Sequence, residues 1–361
     1  MNTLPAVLST GQSLWLEDIT REQLQSGFLV QLITEKSVKG ASVCPGACAH
    51  TLRNTAAYDN AIREKLKKGF YGKLLALELM LEDVHHAADL LRSVFDRTDG
   101  VDGWVALPIF PLLTDDPVTL VTSVADIYAK VRRPNILITL PSLPDWLEAI
   151  EEIIYREIPV NIASLFSCEQ FLGAAQVFLR GFERRIFSGL KPVPSSFTSI
   201  SISHLAAALS ADLYNKEPFL QGGIAMARRI YKASRDLHHS KEWECAYNAG
   251  VRPLRLIWKI DNQYDCKQFG TALIKDLVAP LTVAAIPESV LKATIECCVP
   301  GTKMPTDGGD CEIILSRYLQ SGIDLNNLAD RLRNEEAESL VSSWIELFDA
   351  VAYKSAVLTA R

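Results

Sequence analysis

The stretch Arg133-Pro134-Asn135-Ile136-Leu137-Ile138-Thr139-Leu140-Pro141-Ser142-Leu143 limits this chain more than any other. An apolar run holding one small polar residue, approached by Pro-Asn and closed by Pro where pairing must stop, has the form of a buried parallel strand. Thr139 is the polar residue in that run.

Other strands read similarly. Gln12 to Leu16 is a first buried strand, followed by a helix from Arg21 with Thr20 as N-cap and Gln23 as its capping-box partner. Lys39 to Val43 gives a second strand, ending at Cys44-Pro45-Gly46, and Asp102 to Pro111 a third. Glu157 to Ser167 is a further strand, and Ser196 to His204 alternates small polar with apolar residues as a barrel strand can. Between them lie helical patterns. The region from Tyr58 to Phe95 carries Leu74, Leu77, Met80, Leu81, Val84, Ala88 and Leu91 at spacings of three and four. Pro144 to Ile154 and Glu169 to Phe182 are helical, and a last helix over Asn334 to Leu358 has Asn334 as its N-cap and an apolar stripe of Leu340, Trp344, Leu347, Phe348 and Val351.

Composition narrows the function classes. At 361 residues, 48% apolar and 22% charged, the chain suits one eight-stranded α/β barrel with extra helices or two smaller domains. A net charge of -6 with no basic stripe argues against nucleic acid, and Lys65 to Lys68 reads as a solvated helix face. Met1 to Ser9 has no basic start followed by an apolar core, and no apolar run approaches a membrane span, so a cytoplasmic protein is expected. Eight scattered cysteines read as reduced thiols.

Several residue pairs look chemical and read better as structure. Cys44 and Cys48 lack a second Cys or His pair at zinc spacing, which leaves Cys44 as a substrate-contacting thiol or an inert one. His85 and His86 are adjacent on a helix and cannot share a ligand face. Asp115-Asp116-Pro117 is a helix cap with Pro at the first position rather than a metal pair. Cys297 and Cys298 read as packing, and Gly222-Gly223 is no phosphate loop. No metal and no cofactor are expected.

Taken in order, the motifs resemble those of the longer transaldolases. The strand around Thr139 resembles R-P-N-L-x-I-K-I-P-A-T, whose Lys forms a Schiff base with the ketose substrate. Ser13 to Arg21 resembles S-x-W-L-D-D-L-S-R, and Glu17 stands at its catalytic acid. Gly40 to Pro45 resembles G-V-T-T-N-P, with Ser42 and Cys44 at the first Thr and the Asn. Asp102 to Pro111 resembles D-G-x-V-S-x-E-V-x-P, with Pro108 at the Glu that works with the lysine through a water. Ile158 to Ser167 resembles I-x-V-N-x-T-L-I-F-S, keeping Asn161 and placing Ala163 at the Thr that positions water. Ser196 to His204 resembles A-S-F-F-V-S-R: Ser199 and Ser203 match, Ile200 and Ser201 replace two aromatics, and His204 replaces a phosphate-binding Arg. Arg252-Pro253-Leu254 opens R-P-L-W-A-S-T-x-x-K-x-P, beyond which the register is open and with it the part played by Lys259. Asp276 to Glu288 resembles E-L-V-A-P-x-T-V-x-x-x-P-E closely.

The resemblance spans nearly the whole chain and implies a single (β/α)8 TIM barrel of transaldolase type over residues 1–361, with additional helices. A hydroxyl cannot condense with a ketone to an iminium, so Thr139 implies that the Schiff-base lysine is replaced. The remaining replacements imply a pocket less anionic and more apolar than a sugar-phosphate site. The expectation is therefore a repurposed enzyme working by acid/base catalysis and positioning, with Glu17 and His204 catalytic. Ser42, Cys44, Pro108, Thr139, Asn161, Ala163, Ser199 and Ser201 would line its small-molecule site. Isomerisation, cyclisation and group transfer all fit. The alternative is a non-catalytic barrel binding a ligand or partner, and a third reading keeps the aldol chemistry on a migrated lysine. A homo-oligomer is left open.

Overall fold

In a computed structural model, the structure describes residues 10–35, 37–109, 116–191, 195–212, 220–261, 269–297 and 302–359. Among the described residues there are eight strands: β1 (Ser13–Leu16), β2 (Val38–Ser42), β3 (Trp104–Pro108), β4 (Ile136–Pro141), β5 (Val160–Leu165), β6 (Phe197–Ser201), β7 (Arg255–Lys259) and β8 (Val283–Ile286). They close in sequence order into a barrel with parallel pairing, and helices follow the strands, which is the expected (β/α)8 architecture. The strands are short and buried almost throughout, as covered parallel strands must be.

Packing divides the chain into two compact units, one of residues up to Trp15 with Thr139–Glu336, the other of Leu16–Ile138 with Ala337–Arg361. In the first unit, contacts between non-neighbouring strands identify the barrel interior. The rings of Trp15 on β1 and Phe197 on β6 lie 5.4 Å apart, and Arg255 on β7 donates from Nη2 to Ser13 Oγ on β1 at 2.8 Å. Strands that share no ladder can touch only through the interior. Side chains alternate along a strand, so Ser199 and Ser201 share the interior face with Phe197, and Ile257 and Lys259 share it with Arg255. The buried base of this face is fixed by the Arg255 guanidinium, which also donates to the carbonyls of Leu281 and Thr282.

The second unit is held by a buried polar cluster. Arg21, in the first helix (Arg21–Gln25), donates to Asp83 Oδ1 at 2.5 Å, Leu79 O at 2.9 Å and Glu82 at 3.0 Å, while Tyr58 donates to Asp83 Oδ2. The Thr20–Gln23 capping box opens that helix as its sequence requires. Asn135 enters β4 fully buried, its amide donating to the carbonyls of Ala88 and Gly103 at 2.9 Å each.

Several boundaries differ from the sequence reading. The long helical region is two helices, Asp59–Lys67 and Gly72–Arg97, because Gly69 takes a φ of +85° that ends the first. The last helix runs over Leu325–Thr359, capped by Asp324, whose carboxylate accepts from the Asn326 and Asn327 amides; Asn334 is interior. The sixth strand ends at Ser201, and His204 lies on the helix Ile202–Asp212. The third strand ends at Pro108, short of Phe110 and Pro111, which lie outside the described residues together with Asp115. Asp116 caps the helix Pro117–Val131, accepting from the Thr119 amide at 3.0 Å. The paired glycines give close helix contact: a Cβ at Gly222 would fall 2.6 Å from Tyr318 Oη, and one at Gly223 would fall 2.8 Å from Ala206 Cβ.

Candidate active site

Active sites of such barrels form where the strands end, at their C-terminal edge. In the first unit a polar row runs along the interior face and reaches that edge at Ser201 and Lys259, the last residues of β6 and β7. Asn161 on β5 pairs in register with Phe197 and so faces the interior. Its amide donates to Thr139 Oγ1 on β4 at 3.3 Å, and its carbonyl oxygen accepts from Ser199 Oγ on β6 at 2.9 Å. One interior position further along β6, Ser201 donates to the carboxylate of Glu336 at 2.8 and 3.0 Å. Glu336 comes from the last helix and also meets Lys259 Nζ at 3.8 Å. Ser201 and Lys259 are direct neighbours in the β6–β7 ladder. Thr139, Asn161, Ser199 and Ser201 thus lie along one interior face.

Ala163 follows Asn161 by two positions on β5, and its carbonyl accepts from the Ser142 amide at 2.9 Å. Its methyl group has no proton to give. His204 sits outside the polar row, with Nε2 3.9 Å from Glu335 and the ring edge-on to Phe166 at 5.5 Å. Ser203, next to it, accepts from the Asp261 amide at 3.0 Å and ties the β6 and β7 exits together.

The second unit presents its own strand ends. Glu17 directly follows β1 and is half-buried. Ser42 closes β2, its hydroxyl accepting from the Asp18 amide at 3.3 Å and its carbonyl from the Ile19 amide at 3.0 Å. Cys44 is the N-cap residue of the helix Pro45–Asn54, with Cys48 one turn inside it. Burial, reinforced by Asp83, pushes the Cys48 thiol far above its ordinary range, which makes it inert. Pro108 ends β3 and borders an apolar cavity of about 220 Å³ with Leu107, Ile109, Trp344 and Phe348. Cys44, Cys48, Cys168, Cys245 and Cys311 are in no disulfide among the described residues; Cys266 and Cys298 and the Cys297 side chain lie outside them. Among the described residues no group of His, Cys, Asp and Glu could hold a metal ion, and no described helix is long and apolar enough to cross a membrane.

Lys259 and Glu336 were not identified as site residues from sequence. Lys259 was obscured by the open register after Leu254, although the polar ends of Arg255-Leu256-Ile257-Trp258-Lys259 fit a period of two. Glu336 carried no local signal, since it lies in a charged run of a helix whose placement is a tertiary matter.

The family model of transaldolase/fructose-6-phosphate aldolase matches residues 14–351. A protein named transaldolase from Thermobifida fusca is 30% identical over 364 residues, covering 99% of each chain. Transaldolases from Saccharopolyspora erythraea and an Arthrobacter species are 28% identical (97% of each chain) and 30% identical (97% of this chain, 96% of the relative). These matches overturn the expectation of a barrel repurposed for a less anionic, more apolar substrate, and with it the non-catalytic alternative. That expectation weighed a few replaced motif residues against a likeness running the full length of the chain. It also took the strand ends to be neutral, whereas Lys259 and Glu336 place a cation and an acid there.

Proposed function

Because this chain belongs to the transaldolase/fructose-6-phosphate aldolase family, we propose that it performs the aldol transfer for which its relatives are named, on a small ketose phosphate. The observation that carries this reading is the interior row Thr139–Asn161–Ser199 continuing to Ser201, Glu336 and Lys259. Hydroxyl and amide groups already in hydrogen-bonding geometry can exchange one another for sugar hydroxyls at little cost, which suits a polyhydroxylated ligand. The reaction breaks the bond between C3 and C4 of the ketose and hands the three-carbon unit to an aldehyde. It is redox-neutral and needs an amine, an acid and a base rather than a redox cofactor.

In this reading Thr139 stands where the resembled motif has its lysine, so the amine comes from another strand. Glu17, at the end of β1, stands at the acid/base position of the resembled motif, and Ser42 and Cys44 stand at its substrate-contacting positions. Ala163 leaves water positioning to Asn161 and Ser199. His204, charged when protonated beside Glu335, takes the phosphate-facing role of the Arg it replaces. Pro108 has no proton to relay and shapes the wall.

The test supplies purified protein with fructose 6-phosphate and a four-carbon aldose phosphate, and follows glyceraldehyde 3-phosphate through a coupled dehydrogenase. Release that depends on the acceptor is the expected result. Failure to transfer from either phosphorylated or free ketoses would refute the function.

A further inference from the structure

We infer that Lys259 is the amine that forms the iminium with the ketose, and that Glu336 is its proton partner; this rests on the aldol-transfer reading above. Three observations carry it. First, Lys259 is the only lysine on any strand of its compact unit among the described residues, and it ends β7 on the face that also presents Arg255 and Ile257 to the interior. That is the C-terminal edge, where a barrel places reacting groups. Second, the side chain is neither sealed nor free in solvent, with 35% of its surface exposed, so a substrate carbonyl can reach Nζ. Third, a carboxylate with the right exchange chemistry stands beside it. Glu336 lies 3.8 Å from Nζ and is held by Ser201 Oγ at 2.8 and 3.0 Å. The other cation on this face, Arg255, is buried at the opposite end, committed to Ser13, Leu281 and Thr282, and a guanidinium is no nucleophile.

The chemistry balances with these groups. The ammonium gives a proton to the Glu336 carboxylate, and the free amine attacks C2 of the ketose, forming the N–C bond. A proton moves from nitrogen to the new alkoxide, giving a carbinolamine. Protonated Glu336 returns its proton to that hydroxyl, which leaves as water as the C=N bond forms. Breaking C3–C4 then sends the electron pair into the iminium nitrogen as an enamine, while the C4 hydroxyl proton goes to the regenerated carboxylate. Attack of the enamine on the acceptor aldehyde restores the iminium, the new alkoxide takes the proton back from Glu336, and water releases the product and the lysine.

The test separates this assignment from the function itself. Wild-type protein is incubated with fructose 6-phosphate, reduced with borohydride and mapped by trypsin and mass spectrometry, with transfer activity measured in parallel. The expected result is a reduced sugar adduct on Lys259, which also blocks cleavage between Lys259 and Ile260. Lys259→Met, checked to melt close to the wild type, loses both adduct and transfer. Glu336→Gln keeps the adduct site but forms it about 100-fold more slowly, with an altered pH profile. An adduct on another lysine, or transfer with no adduct, overturns the inference and leaves the function standing. Neither transfer nor adduct overturns both.

Discussion

Replacing Arg21 by Met tests how the second unit is held, and its size can be worked from the structure. Arg21 is 6% exposed and Asp83 is 3% exposed, with Nε 2.5 Å from Oδ1. The guanidinium also lies 4.1 Å over the Tyr58 ring, and the Tyr58 hydroxyl donates to the second Asp83 oxygen. Two unit charges about 4 Å apart at an effective dielectric of about 20 attract by about 4 kcal/mol. Met fills much of the Arg stem, so the loss comes mainly from the stranded carboxylate, and removing one partner of a buried pair costs about 3–5 kcal/mol.

The penalty depends on pH. Burial raises the Asp83 carboxyl above its ordinary range while Arg21 pulls it back, so removing Arg21 lets it rise further. A group whose pKa is raised by folding favours the folded state below its unfolded value, and that advantage is lost as pH climbs through the folded value. The variant therefore loses stability with rising pH, by at most about 1.4 kcal/mol per pH unit for one proton. Urea unfolding at pH 7.5 should show the full loss, and at pH 5 a visibly smaller one. The double variant Arg21→Met/Asp83→Leu should recover most of it, because an apolar pair leaves no buried charge. A loss under about 1 kcal/mol, or one that does not change with pH, would refute the reasoning.

Asn135→Ala should destabilise by about 2–4 kcal/mol in the same assay, since it strands the buried carbonyls of Ala88 and Gly103. Gly222→Ala should cost about 1–3 kcal/mol and lower the melting temperature, because its Cβ meets Tyr318 and Leu209 at 2.6–2.7 Å; an unchanged melting temperature would show that the helices part freely. Burial lowers His238 to about 4, against Trp243 at 4.9 Å. Its depressed value means that folding is undisturbed above pH 6.5 and weakens as pH falls from there to about 4. His238→Gln should flatten that part of the pH–stability curve, as read by thermal denaturation.

The barrel was legible in the order of the motifs and their resemblance to the longer transaldolases. Buried strands such as Ile136–Pro141, the Thr20–Gln23 capping box and the Asp116-Pro117 helix start are local patterns, and local chemistry settles them before the chain closes. Thr139, Asn161, Ser199 and Ser201 were singled out by their places in motifs that resemble those of the longer transaldolases. Which charges meet at the strand ends depends on the folded chain. Lys259 and Glu336 lie far apart in sequence and face each other because β7 and the last helix bring them to within 3.8 Å. His204, read as a strand residue, is carried onto a helix by the break after Ser201 and meets Glu335 instead. Electrostatic partnership depends on distance through space, and no spacing along the chain encodes it.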